Sequence, residues 1–256
     1  MELLKGTAAF AGSVPLGNSL EAVPTHDTTI QLPYPNRFSS IREFQRAFDN
    51  DEIDFAAFIG SACPICGREE CFRQITSYER TAIDVDLDVD GTGEVHVDRV
   101  RIARFLCRRT MRTFSLLPCQ LLPYHRYTVA TMVLALLLAH QAAETERRGF
   151  CSVAEQWLPV DSVITGWLLA CWVNVIVAGF RRGHAWLAKR YDLRRVSSAK
   201  TSVAKLGEVH TYCDAIFARG PPTADGTVAV AGAYGGANQR FLFGSPSQSR
   251  SRTPAP

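Results

Sequence analysis

Cys63-Pro64-Ile65-Cys66-Gly67 and, further on, Phe105-Leu106-Cys107-Arg108-Arg109-Thr110 bracket the stretch on which the reading of this chain turns. A Cys-x-x-Cys-Gly turn followed downstream by a second cysteine turn is the pattern of a zinc ribbon. Two tight turns at the ends of short hairpins each offer thiolates to one tetrahedral ion. The second turn is incomplete, because Thr110 stands where the partner of Cys107 belongs. Cys71, just beyond the first turn, is the expected fourth ligand beside Cys63, Cys66 and Cys107, and His96 and Cys119 are further candidates. The ion expected is Zn2+. The competing reading is a ribbon that has lost its metal and packs its remaining thiols as small apolar side chains.

Between the two turns Val85, Leu87 and Val89 alternate with Asp84, Asp86, Asp88 and Asp90. After Gly91-Thr92-Gly93 the apolar positions resume at Val95, Val97, Val100, Ile102 and Phe105. Period two on both sides of a glycine-rich turn predicts a β-hairpin over residues 83–107. Asp86-x-Asp88-x-Asp90-Gly91 also opens like an EF-hand loop, but Val97 occupies the position that needs a bidentate acid, so calcium is not expected.

A hydrophobic content of 46% in 256 residues excludes wholesale disorder. The net charge of +3 hides an asymmetry: residues 1–100 carry 8 Lys/Arg against 17 Asp/Glu, and residues 101–256 carry 20 against 8. A basic second half predicts contact with a polyanion. Arg101, Arg104, Arg108, Arg109, Arg112 and Arg126 fall in a stretch without an acid, interleaved with Phe114, Tyr124 and Tyr127. A guanidinium fork bonds two phosphate oxygens at once, so DNA is the expected partner, with RNA left open. Residues 1–20 lack a basic segment leading into an apolar run, so a cytoplasmic location is expected. In that reducing setting the eight cysteines point to metal or free thiols.

Outward from the ribbon the chain divides into four segments. Residues 1–60 read as an acidic arm, irregular as far as Leu32-Pro33-Tyr34-Pro35-Asn36; a Ser40/Glu43 helix start then leads into short helices carrying Phe44, Phe48, Ile53, Phe55 and Phe58 and ending near Gly60. Residues 61–127 form the ribbon. Residues 128–218 read as helical, with a buried helix from Thr128 to His140 and another from Ser202 to Phe217. Residues 219–256, dominated by Gly, Ala, Pro and Ser, read as a disordered tail.

Within the helical segment, Ser152–Leu158, a turn, and a second helix capped by Asp161 match a helix-turn-helix layout. Val153, Trp157, Ile164 and Trp167 would face inward, with Ser162 and Thr165 turned toward base edges. Such short hydroxyls are poor base readers, so sequence-specific recognition is not expected. Val163–Phe180, followed by Arg181-Arg182, also meets the lower length limit for a membrane span. Trp157, Trp167 and Trp172 at helical spacing favour a buried helix instead. Cys151, Cys171 and Cys213 read as core residues. The acids after Arg101 have no strand-end setting for a two-metal nuclease, and His210 with Cys213 lacks a third group, so no catalysis is expected.

The succession of Cys63-Pro64-Ile65-Cys66-Gly67, Arg104-Phe105-Leu106-Cys107-Arg108-Arg109, Thr113-Phe114-Ser115-Leu116-Leu117-Pro118 and Leu121-Leu122-Pro123-Tyr124-His125-Arg126-Tyr127 resembles a bacterial family. Its members are similar to the N-terminal zinc ribbon and helix-turn-helix portion of insertion-sequence transposases. The resemblance spans roughly Ala62 to Arg190. It implies that Cys63, Cys66 and Cys107 match family metal ligands, that Thr110 replaces the fourth, and that a helix-turn-helix follows. The expected fold is α+β: a small degenerate zinc-ribbon hairpin region, a mostly helical helix-turn-helix-like domain and flexible termini. The expected function is non-catalytic DNA binding of a transposase-like kind. A zinc-stabilised protein-interaction module and a membrane-tethered ribbon are the alternatives.

Overall fold

The alternation around the glycine-rich turn becomes a hairpin longer than its repeat foretold. Strands β2 (Phe72–Leu87) and β3 (Gly93–Cys107) pair antiparallel from Phe72↔Cys107 to Leu87↔Gly93. The computed structural model describes residues 30–34, 38, 40–87, 93–193, 196–218, 223–238 and 240–243, so Gly91 and Thr92 of the predicted hairpin turn lie outside the described residues, and Gly93 opens β3. A register shift between Gln74 and Thr76 leaves Ile75 as the bulged residue.

Two further strands complete a sheet of order β1-β4-β3-β2. Strand β4 (Thr113–Pro118) returns antiparallel to β3, and β1 (Ile30–Tyr34) pairs parallel to β4. The arm expected to be irregular through residue 36 therefore contains an edge strand. Pro33 is tolerated there because only one side of β1 is paired.

Helix α1 (Ile41–Asp49) starts where expected, with Ser40 Oγ accepting from the Glu43 N–H at 3.1 Å. Helix α2 (Phe55–Ile59) is capped by Asp54, whose carboxylate accepts from the Ala57 N–H at 2.8 Å. Together with Tyr34 and Phe38 they lay Ile41, Phe44, Ile53 and Phe55 on Val100, Ile102, Phe105, Phe114 and Leu116 of the sheet. Each fully buried phenylalanine, such as Phe44 or Phe114, stabilises this layer by roughly 1.5–3 kcal/mol.

The second core belongs to five helices: α3 (Val129–Glu146), α4 (Phe150–Gln156), α5 (Gly166–Ala188), α6 (Ser202–Ile216) and α7 (Ala224–Asn238). Helix α3 is apolar almost all round because it is central, packing against each of the other four helices and against β2. The tail expected from residue 219 onward instead supplies α7, and beyond it Leu242 and Phe243 are buried. Residues 244–256 lie outside the described residues.

Hydrogen bonds at the start of α3 pin the hairpin to the helices, among them the Thr128 N–H donating to Ile83 O at 2.9 Å. The Thr128 and Thr131 hydroxyls donate to Asp84 Oδ1 at 2.6 and 3.1 Å, and the Val85 N–H donates to Thr131 Oγ1 at 2.9 Å. The hairpin end near residue 85 is thus held by the helical layer, and the opposite end, at Phe72 and Cys107, carries the cysteine turns.

Candidate metal centre and basic knuckle

Two turns of the same construction present the thiols. In the first, the Gly67 N–H donates to Cys63 O at 2.8 Å and the Cys63 N–H to Arg68 O at 2.9 Å. In the second, the Met111 N–H donates to Cys107 O at 2.9 Å and the Cys107 N–H to Arg112 O at 2.9 Å. The fifth residue of each is left-handed, Gly67 at φ 70° and Met111 at φ 54°. In this correspondence Cys66 and Thr110 occupy the same place.

Cys71 joins the two turns. It precedes β2 directly, and its carbonyl accepts from the Arg108 N–H at 2.7 Å. The Sγ atoms of Cys63, Cys66, Cys71 and Cys107 all lie within 4.8 Å of one another. Cys66 and Cys71 are separated by 3.1 Å, and Cys71 and Cys107 by 3.8 Å. Four sulfurs around a tetrahedral ion with bonds near 2.3 Å stand about 3.8 Å apart. The donor set is therefore compatible with a metal ion, and Cys71 is the fourth sulfur.

Thr110 has a different task from the one its position implied. Burial by itself would raise the Cys107 thiol, but the Thr110 hydroxyl, the Thr110 and Arg109 N–H groups and Cys66 outweigh it and bring the thiol down to about 6. Burial pushes Cys63 up, with the Cys66 and Ile65 N–H groups opposing. Burial and crowding by Cys66, Cys63 and Cys107 push Cys71 further up. A cation among these sulfurs would reverse that crowding, because coordination deprotonates thiols outright.

The other candidate ligands lie elsewhere. His96 sits on β3 opposite Asp84, with Arg42, Asp86 and Glu94 around its ring. The Cys119 thiol is buried and donates to Tyr34 O at 2.8 Å. Of the three cysteines expected in the core, Cys213 is buried and pushed up to about 12 by burial and Asp214, Cys171 is half-buried, and Cys151 is exposed. Cys151 lies in the first turn of the short helix α4, where the α5 backbone at Gly166 closely approaches its main chain and Sγ.

The arginines expected as one patch divide into three groups. Arg108, Arg109 and Arg112 are exposed on the second turn, with Arg68 exposed on the first, and none of the four has an acidic partner among the described residues. Arg101 is committed to α1, 3.1 Å from Asp49 and with its guanidinium over the Phe48 ring. Arg104 is half-buried and donates to Thr113 Oγ1 at 3.0 Å. Arg126 is exposed beside Ile83, whose N–H donates to its carbonyl. Eleven residue steps along β2 separate Phe72 from Ile83, up to about 36 Å of strand, so Arg126 belongs to the other end of the hairpin.

The helix-turn-helix segment also departs from expectation. Asp161 does not start the second helix; α5 begins at Gly166, capped by Thr165, whose Oγ1 accepts from the Leu168 N–H at 3.3 Å. Residues 157–165 form a long connection in place of a tight turn. Ser162 is only 1% exposed, with its hydroxyl donating to Pro159 O and its carbonyl accepting from the Tyr127 hydroxyl at 2.7 Å. Val153 and Ile164 are buried as expected, whereas Trp167 is 72% exposed. Among the described residues no helix is long and apolar enough to cross a membrane, and α5 instead buries Leu169, Trp172, Val173, Ile176 and Phe180 in the helical core.

No protein-family model, no curated protein and no solved structure matches the chain. The resemblance to transposase ribbons thus rests on the quoted motifs alone.

Proposed function

We propose that the chain is a non-catalytic nucleic-acid-binding protein, with DNA as its target, in which a zinc ion held by Cys63, Cys66, Cys71 and Cys107 fixes an arginine-bearing knuckle against the phosphate backbone. Four thiolates and no vacant ligand position are the donor set of a structural zinc site. One observation carries the binding reading. Among the described residues Arg108, Arg109 and Arg112 stand exposed without acids, while Arg42, Arg99, Arg101 and Arg181 are paired with Asp98, Glu79, Asp49 and Glu208. Arginines left unpaired on a rigid turn beside a metal are arranged for an external anion.

Ser162 and Thr165 are engaged in the fold, so binding proceeds through the backbone, with little discrimination among sequences. The test is retention of a short DNA duplex as salt is raised. Three phosphate contacts give a slope of log K against log salt of roughly −2.7. Replacing Arg108, Arg109 and Arg112 together by Glu abolishes binding. A salt-independent affinity, or one untouched by the triple charge reversal, overturns the proposal. A single-stranded RNA competitor in the same assay ranks the two polymers.

A zinc-stabilised protein-interaction module is the second reading, favoured by one feature. Val160, Val163 and Trp167 are 87%, 70% and 72% exposed on the connection into α5. Co-purifying protein lost on Trp167→Ser, with DNA retention unchanged, would favour that reading.

A further inference from the structure

A second group of ligand-type side chains lies in the helical layer, on residues that the thiol cluster does not use. His140 on α3 and His210 on α6 meet with ring centroids 4.4 Å apart and planes tilted by 47°. One helical turn beyond each histidine stands a carboxylate, Glu144 after His140 and Asp214 after His210. Asp214 Oδ2 lies 3.0 Å from His210 Nδ1. That contact sets the proton on Nδ1 and leaves Nε2 with a free lone pair. A carboxylate behind an imidazole is the arrangement that holds metal-ligating histidines in tautomer and orientation. Neither ring nitrogen of His140 has a hydrogen-bond partner among the described residues. Both histidines are half-buried, so solvent ions reach them.

We propose that His140 and His210 form a site for a late first-row divalent cation, bridging α3 and α6, with Asp214 as the positioning residue and water completing the coordination. Neutral imidazole suits zinc, nickel and copper, and the two carboxylates bring opposite charge to the bound ion. Burial, and after it the neighbouring His210, lower the His140 pKa against the pull of Glu144 and Asp214, which keeps its ring in the ligating form at neutral pH. Among the described residues the four thiols are the one place where three or more ligand atoms converge. The histidine site therefore has two direct protein ligands and binds more weakly than the thiols.

The experiment is a titration of the full chain, its thiol cluster already metal-loaded, with Ni2+ as the probe. Calorimetry is expected to give one added equivalent, absent in both His140→Gln and His210→Gln. The paramagnetic ion should also broaden the ring proton signals of His140 and His210 in the unsubstituted protein, a readout that depends on no variant folding. Asp214→Asn is expected to weaken Ni2+ about 10–100-fold while both ring signals still broaden. Absence of the added equivalent, its persistence in either histidine variant, or sharp ring signals at saturating Ni2+ overturns the site. Undiminished affinity in Asp214→Asn overturns the positioning role.

Discussion

The two knuckles, Cys63–Arg68 and Cys107–Arg112, share a backbone and differ in chemistry. Each closes with the same pair of main-chain hydrogen bonds and a left-handed fifth residue. At the fourth position the first has a thiol and the second a hydroxyl. The second knuckle still brings Cys107 into the thiol cluster. Thr110 lowers the Cys107 thiol toward its ionised form, while Cys71 brings the fourth sulfur from the foot of β2. Turn geometry and ligand identity are thus separable: the main chain builds the pocket, and a sulfur can enter it from any strand end that reaches.

The strongest way to break this comparison is to move the fourth ligand back. Cys71→Ala leaves three thiolates. If zinc's 10–16 kcal/mol is shared over four ligands, the loss is about 3 kcal/mol, or roughly 100-fold in affinity. Adding Thr110→Cys places a thiol where the first knuckle has Cys66, and the double variant is expected to recover to within about tenfold of the original. Competition with a chromophoric chelator measures all three proteins. A double variant no tighter than Cys71→Ala would mean that the two turns are not equivalent.

A smaller effect is expected from Thr110→Val, which removes only the hydroxyl. Loss of a hydrogen bond to a ligating atom costs about 10-fold in metal affinity at the low end of such effects. The pH dependence has a definite sign. The Cys107 thiol titrates near 6 when folded against 9.0 for the free group. A depressed acid contributes stability that is fully present above the unfolded value and is lost as pH falls through the folded one. Metal-free protein should therefore lose stability between about pH 9 and pH 6, and Thr110→Val should flatten that slope. Denaturation midpoints across this range are the measurement, and identical slopes would remove Thr110 from the account.

What the sequence disclosed follows from how local each signal was. The hairpin, the Ser40 cap, α3 and α6 rest on alternation, capping and continuous apolar runs, all readable within a short window. Strand β1 was hidden because Pro33 and Pro35 flank its end and its partner, β4, lies some eighty positions away in the chain. Strand β4 was hidden because all six of its residues are buried and so do not alternate. Helix α7 reads as tail because its composition is small residues, yet smallness is what lets it pack. A Cβ at Gly235 would sit 3.1 Å from Pro33 Cβ and 3.4 Å from Cys119 Sγ. At the candidate metal centre Cys63, Cys66, Cys107 and Cys71 were legible from spacing. The Thr110 hydrogen bond and the separation of Arg126 from the knuckle were not, since both depend on strand register. The sequence signal for the second helix was misplaced because Asp161 looks like a cap, whereas the buried Ser162 and the left-handed Val163 delay the helix to Gly166.

The smallest effect sharpens the comparison most finely, because it tests the fifth position alone. Gly67 at φ 70° meets nothing within 4 Å of an added Cβ, so Gly67→Ala changes only backbone preference. It should destabilise by about 1 kcal/mol. Met111 holds the same conformation at φ 54° with its side chain 62% exposed, so Met111→Gly relieves strain and gives up little packing. It should stabilise by up to about 1 kcal/mol, offset in part by glycine's greater freedom in the unfolded chain. For a chain of this size that corresponds to opposite shifts in Tm of roughly 2–4 °C. If both substitutions lowered Tm, methionine would contribute at its turn through contacts rather than conformation. The equivalence of the two knuckles would then stop at the hydrogen bonds that close them.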